Sequence, residues 1–434
     1  MTAAAPPPTR RRFGRRLAVL AAALAVAAGT TAARPWRWFH AKQAEPVPEA
    51  LLREARAAVV DGDYELARDR ARKCVDYWPA NAETHFLLAR ACRLADDYTG
   101  WQTHLKTAEA LQWGTDQVAF ERRLMAAQTG RFVDTRQELT DLLDADAADP
   151  DLAYEALARG CLDSFRIPDA LWLTTQWADE RPDDWRPYLY RGRALYRQQA
   201  LGAAVREYRA ALERNPRHRT ARLWLAGALL LNGQFPEALP EFEAYTRDYP
   251  NDPAGALGLG TCQFELSRLD DAQRTIDKLL AAKPDHAAAL LVRGRIELAR
   301  DRSADALDWF RKAEKAAPYE PEVLGSLILV YRQLNRPGEA AGYQRRVEEL
   351  KALDKRLSDV RTQVVRNPTD PAPRVEAGKL CLALHRPEAA MDWLLGAITA
   401  DPDNRAAHEA LAECFDQLGE PARAAFHRAR AGKK

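Results

Sequence analysis

Nowhere in this chain do two cysteines stand at Cys-x-x-Cys spacing or two histidines at His-x-x-x-His spacing. Neighbouring residues therefore cannot build a zinc ribbon, a thioredoxin-like centre or the helix-borne site of a zinc protease. The six cysteines, Cys74, Cys92, Cys161, Cys262, Cys381 and Cys414, are scattered and read as small buried hydrophobes. Cys74 and Cys92 fall on helices expected to be adjacent, which leaves one disulfide open in an oxidising compartment. A net charge is also lacking: 64 Lys and Arg face 62 Asp and Glu, and five of the arginines are gathered between Arg10 and Arg16. What remains is close to neutral, which gives no support to a nucleic-acid footprint. No nucleophile elbow organises serine, histidine and carboxylate. The acidic stretch Asp141 to Asp151 lacks the glycine and closing glutamate of a calcium loop and reads as a solvated helix junction. Neither a metal, a cofactor nor a catalytic constellation is expected.

One long uncharged run is present, and it lies near the N-terminus. Arg10, Arg11, Arg12, Arg15 and Arg16 form a basic segment within residues 1–16, followed by an Ala-, Leu- and Val-rich stretch at 17–33. This is the layout of an export signal or a membrane anchor. As a helix the stretch would reach only about 25 Å, the short limit for a bilayer. Pro35-Trp36-Arg37-Trp38-Phe39, in the linker 34–47, suits a headgroup region and favours an uncut anchor, while Thr31-Ala32-Ala33 offers a cleavage site. Thr9 to Arg15 resembles a twin-arginine export motif, so either export route stays open. In each case the arginine-rich end is expected to stay cytoplasmic, with the rest of the chain extracytoplasmic. No cysteine follows the apolar run, which argues against a lipid-modified N-terminus.

The rest of the chain is periodic. Pro182, Pro216, Pro250, Pro284 and Pro318 stand at an unbroken interval of thirty-four positions, and an alanine precedes each at one fixed offset: Ala170, Ala204, Ala238, Ala272, Ala306. A small residue precedes each proline at twice that offset: Ala158, Gly192, Ala226, Gly260, Gly294. A fixed period of this size marks stacked supersecondary units, each too small to bury its own apolar face. Small residues at positions 8 and 20 of the repeat let paired helices approach, and proline at 32 stops the second helix. Gly62, Gly130 and Gly233 stand where first helices end, and Pro168, Pro236, Pro337, Pro387 and Pro421 where second helices begin. Pro240 lies one turn deeper and conflicts with that pattern. By the same phase, the glycine-rich run Gly255 to Gly260 falls inside a first helix, which speaks against a phosphate-binding turn.

With Ala238 to Phe242 and Ala306 to Phe310 giving Ala-x-x-x-Phe, Ala204 to Tyr208 a near relative, and Leu259-Gly260 a Leu-Gly step, the pattern resembles the tetratricopeptide repeat. The resemblance covers residues 48–434 and implies an all-α fold: a right-handed superhelical solenoid of about eleven helix-turn-helix repeats, preceded by one hydrophobic helix. Pro79 with Ala67 and Ala55 marks a first repeat, and two degenerate repeats, from about Ala82 and Asp116, fill the gap to Pro182. Beyond Ala340 the next terminal proline is Pro368, sixteen positions later than the phase requires, so a segment is inserted. It lengthens a helix around 343–366, where Leu350, Leu353, Leu357, Val360 and Val364 draw an apolar stripe. That stripe is expected to pack on the neighbouring repeat, with a homodimer as the less favoured alternative. The last repeat, from about Arg405, is expected to act as a cap.

In tetratricopeptide arrays, first-helix positions 2, 5, 9, 12 and 13 tend to face a concave groove. Position 9 reads Arg56, Arg90, Leu124, Arg159, Arg193, Gly227, Thr261, Arg295, Leu329, Lys379 and Glu413, six of them basic. Arg197, Tyr196 and Phe264 stand nearby, and guanidinium groups beside rings suit an extended acidic peptide. The candidate groove is therefore Arg56, Arg90, Arg159, Arg193, Tyr196, Arg197, Phe264, Arg295 and Lys379. The competing reading pairs these arginines with acids on the next helix, Glu155 and Asp163 among them. The lysine and asparagine pattern of a chaperone-tail clamp is missing. The function expected is a noncatalytic protein-interaction scaffold of a bacterial-type envelope, binding proteins or peptides but no nucleic acid. The alternative is an accessory assembly factor for an envelope enzyme or complex, of the lipopolysaccharide or cytochrome-maturation type.

Overall fold

The computed structural model describes residues 48–145, 149–164, 166–367 and 370–432. The expected basic segment and signal or anchor at 1–33 lie outside them, as does the linker at 34–47. Among the described residues there are twenty-two helices and no strand. In chain order they are α1 Pro48–Asp61, α2 Tyr64–Tyr77, α3 Ala82–Leu94, α4 Tyr98–Ala110, α5 Thr115–Gln128, α6 Thr135–Leu143, α7 Pro150–Asp163, α8 Ile167–Glu180, α9 Arg186–Arg197, α10 Leu201–Arg214 and α11 Arg219–Leu231. The series continues with α12 Phe235–Asp248, α13 Pro253–Glu265, α14 Leu269–Ala282, α15 Ala287–Ala299, α16 Ser303–Ala316, α17 Pro321–Gln333, α18 Pro337–Arg366, α19 Pro371–Ala383, α20 Pro387–Ala400, α21 Arg405–Gln417 and α22 Pro421–Ala431. They divide into two compact units, one running to Ala194 and including Arg214–His218, the other Leu195–Glu213 with Arg219 onward. No described helix is long and apolar enough to cross a membrane.

The periodic prolines mark the helix ends. α8, α10, α12, α14 and α16 each stop two residues before Pro182, Pro216, Pro250, Pro284 and Pro318, because proline has no N–H to continue the ladder and its ring pushes the preceding residue out of the helical region. First helices begin on polar caps: Asn81, Asp149, Asp252, Asp370 and Asn404 each accept from a backbone N–H of the first turn. Pro168, Pro236, Pro337, Pro387 and Pro421 occupy first-turn positions of second helices. Pro240 sits within α12, whose helix continues through it on a solvent-exposed face.

Between the helices of ten hairpins the chain passes through one left-handed residue. Gly62, Gly130, Gly233 and Gly419 hold it, but so do Asp96, Gln199, Ser267, Asp301, Asn335 and His385, all with φ between 55° and 77°. From Gln199 to Asn335 these residues recur at the interval of the prolines, and the next step, to His385, is longer. The excess lies in α18, which has 30 residues.

The alanines that precede each periodic proline, Ala170, Ala204, Ala238, Ala272 and Ala306, are fully buried. In unit 2 the bulky residue four positions on lies over the small residue of its own first helix: Phe310 over Gly294, Ile276 over Gly260, Leu394 over Gly378. A Cβ at Gly294 would collide with the Phe310 ring. Leu350, Leu357, Val360 and Val364 of the α18 stripe are buried, with Leu353 against the same core. The N-terminal half of α18 joins α16 through Tyr343 and Arg346, which donate to Glu314 at 2.9 and 3.0 Å. Its C-terminal half joins the following hairpin through Arg356 to Glu376 at 2.8 Å and Asp354 to Arg386 at 2.9 Å. All six cysteines are free and buried, including Cys74 and Cys92. Burial pushes the thiols up, Cys92 to about 12 and Cys161, Cys262 and Cys414 to about 11.

Candidate functional site

In unit 1 the arginines of the first-helix face are tied into the chain itself. Arg56, exposed on α1, pairs with Glu83. Arg90 lies 5.0 Å over the Phe86 ring and donates to Glu121 at 3.1 Å. Beside it Arg93, with no exposed surface, donates to the other Glu121 oxygen at 2.5 Å and to Gln128 at 2.9 Å. Burial alone would raise the Glu121 carboxyl, but Arg93 and Arg90 together outweigh it and hold it below its ordinary value. Arg159 on α7 reaches back 65 residues to donate to the Leu94 carbonyl at 2.8 Å, and 63 residues to Asp96 at 2.5 Å. Arg159 therefore clamps the turn of an earlier hairpin. Arg193 stacks 5.9 Å over Tyr190.

A second group of contacts involves the tip of the first hairpin. Gly62 lies against the Trp185 ring and the His218 imidazole, and Asn215 donates to the Asp61 carbonyl at 3.1 Å. Tyr64 and Tyr190 donate to one oxygen of Glu155 at 2.5 and 2.8 Å, with Arg186 3.7 Å from the other. Glu155 is 1% exposed, so its hydrogen bonds are made inside unit 1. Burial, followed by the Glu155 carboxylate, pushes both phenols well above their ordinary value. Burial likewise drives His218 down to about 4. Glu155 thus has partners that sequence spacing did not identify, because they stand 91 and 35 residues away.

Unit 2 presents a different face. Position 12 of its successive first helices carries Tyr196, Leu230, Phe264 and Leu298, one repeat apart and all half-buried. Leu231, 58% exposed, and Leu329, 48% exposed, are further apolar side chains on first helices of this unit. A Cβ added at Gly227 or Gly325 would meet nothing within 4 Å, so the surfaces of α11 and α17 are open at those two positions. Arg197 is half-buried and Lys379 exposed. Arg295 makes one long bond of 3.3 Å to Glu322. The structure therefore distributes the nine candidates: Arg90 and Arg159 hold unit 1 together, whereas Tyr196, Phe264 and Arg295 line the first helices of unit 2. Sequence reasoning missed Leu230, Leu231, Leu298 and Leu329, although the repeat spacing that picks out Phe264 also picks out Leu230 and Leu298. Among the described residues no group of three His, Cys, Asp or Glu side chains is placed to hold a metal.

The tetratricopeptide repeat family profile matches residues 52–100, 189–253 and 257–321. Among curated proteins, the Protein CTR9 homolog of Arabidopsis thaliana is 27% identical over 141 residues, which cover 32% of this chain and 13% of that protein. Similar solved structures include a human IFIT1 dimer with PPP-AAAA, 15% identical, TM-score 0.40, covering 86% of this chain and 93% of that one. MamA from Desulfovibrio magneticus RS-1 is 23% identical, TM-score 0.36, covering 38% and 94%. Yeast Tom70 is 14% identical, TM-score 0.35, covering 88% and 91%. Over the three matched stretches, these helical hairpins are tetratricopeptide repeats.

Proposed function

We propose that this protein is a noncatalytic interaction scaffold whose unit 2 takes an extended partner segment along its first helices. Tetratricopeptide-repeat proteins are in general protein-interaction scaffolds. The observation that carries the reading is the row Tyr196, Leu230, Phe264 and Leu298, half-buried and regularly spaced beside open glycines. Each such side chain, when covered, would contribute about 1–2 kcal/mol. Arg197 and Arg295 share helices with Tyr196 and Leu298 and favour a segment carrying carboxylates. About eleven repeats would make up the array. The N-terminal basic segment and apolar stretch support attachment to, or export across, a cell membrane, with the array extracytoplasmic.

A photocrosslinking residue placed at Phe264 or Leu230, with Lys278 on the exposed side of α14 as the control, tests this directly. A single protein species captured from the first two sites, and lost on Leu298→Glu, is the expected result. Equal capture from Lys278, or none from any site, would remove the reading.

A further inference from the structure

Four of the chain's eight histidines form two pairs built to one plan. His85 on α3 and His104 on α4 meet Nδ1 to Nδ1 at 3.0 Å, and His85 Nε2 lies 3.0 Å from the Pro79 carbonyl. His408 on α21 and His427 on α22 meet at 2.8 Å, with His408 Nε2 again 3.0 Å from a carbonyl, that of Pro402. Both pairs span 19 residues, begin at the fourth residue of a first helix, and use the proline six residues upstream. Ring separations of 5.2 and 5.1 Å and a common tilt of 31° complete the match. His85, His408 and His427 are buried.

The hydrogen bonds dictate where the protons are. A carbonyl only accepts, so Nε2 of His85 and of His408 carries the proton. The neutral ring then leaves Nδ1 as an acceptor, and the partner ring, His104 or His427, donates its Nδ1–H. One proton lies between the two helices of the hairpin. A first added proton, on Nε2 of the donor ring, places a charge in a largely apolar setting. A second, on the acceptor Nδ1, turns the bond into two opposed N–H groups.

We propose that each histidine pair is an acid-labile clasp, closing its hairpin near neutral pH and releasing it on acidification. The groups acting on the first pair are Arg72 of α2, which disfavours charge on His104, and Asp97 at the start of α4, which favours it. At the second pair burial weighs most against charge on His427, followed by His408 and Arg430 of α22; the aromatic neighbours are Phe415 and Phe426. Burial is also the main cause that lowers His104. The sign follows: a histidine lowered on folding contributes its full stability above the unfolded value of 6.5 and loses it as pH falls below. Uptake of one proton per clasp weakens the hairpin as pH falls through that range, by less than about tenfold per pH unit.

Amide exchange protection factors, measured on the full chain from pH 7.5 to 4.5, test this. The α3–α4 and α21–α22 hairpins are expected to lose up to about fivefold more protection than α13–α14, which carries no histidine, between pH 6.5 and 5.5. In His427→Gln, whose amide still donates to His408, the excess loss should vanish from α21–α22 and persist in α3–α4. Uniform loss over all three hairpins, or an unchanged excess in the variant, overturns the proposal. Should the variant fail to fold, imidazole nitrogen shifts of the wild type decide: His104 and His427 both titrating at the ordinary histidine value also overturn it.

Discussion

At the level of single residues, the left-handed turns show how one conformation is met by unequal chemistry. Glycine adopts it freely, whereas a side chain there costs about 1 kcal/mol. Gly62 and Gly233 share φ near 75°, yet their surroundings differ: open space at Gly233, the Trp185 ring and His218 at Gly62. We predict that Gly233→Ala lowers stability by about 1 kcal/mol, while Gly62→Ala costs about 2 kcal/mol more because the methyl must displace an indole. Local exchange protection of α1–α2 against α11–α12 would check it, and equal losses would mean the Gly62 contact adds nothing. The turn glycines at 62, 130 and 233 were legible in the sequence. Asp96, Ser267, Asp301 and His385 were not, since a polar residue in a left-handed turn leaves no mark that distinguishes it from any surface residue.

Among the elements, α18 departs most from the repeat. Its first half completes a hairpin with α17, and the inserted segment carries it on to support α19 and α20. The extra length and the apolar stripe could both be read from spacing, because the displaced proline and the 3,4 pattern are one-dimensional signals. Which surface covers the stripe is a three-dimensional fact, and it is the chain's own core. Val360→Asp is therefore expected to cost about 3–5 kcal/mol, whereas Arg356→Ala, which breaks only an exposed pair with Glu376, should change stability by less than about 1 kcal/mol. Chemical denaturation followed by exchange in α18–α20 measures both; a comparable loss for the two would show that ion pairs, not burial, hold the helix. With the stripe covered, neither variant should alter the sedimenting mass.

For the molecule as a whole, nearest-neighbour reasoning predicts the hairpins and misses the long-range contacts of unit 1. A repeat pattern says what touches the next repeat; it is silent on Tyr64 reaching Glu155, or Arg159 reaching Leu94, across more than one repeat within unit 1. Spacing leaves Arg90 and Arg159 open between a groove and pairing with acids of a following helix; Arg90 pairs with Glu121 in the latter way, whereas Arg159 reaches back to Leu94 and Asp96. Tyr64→Phe leaves the buried Glu155 with one phenol fewer, at an expected cost of about 1–3 kcal/mol, and should loosen the α1–α2 tip without disturbing unit 2. Trp185 fluorescence together with unit-by-unit exchange would show it. An unchanged indole signal would mean the tip does not depend on that bond.

The bond from Tyr64 to Glu155 also constrains how the chain can evolve. An open stack tolerates duplication or loss of whole hairpins, since each new copy finds the same neighbours. Between α3 and α6 that freedom is gone: adding or removing a hairpin there would carry the tyrosine away from its carboxylate. This part of the protein has a fixed number of copies, set by a contact made 91 residues away.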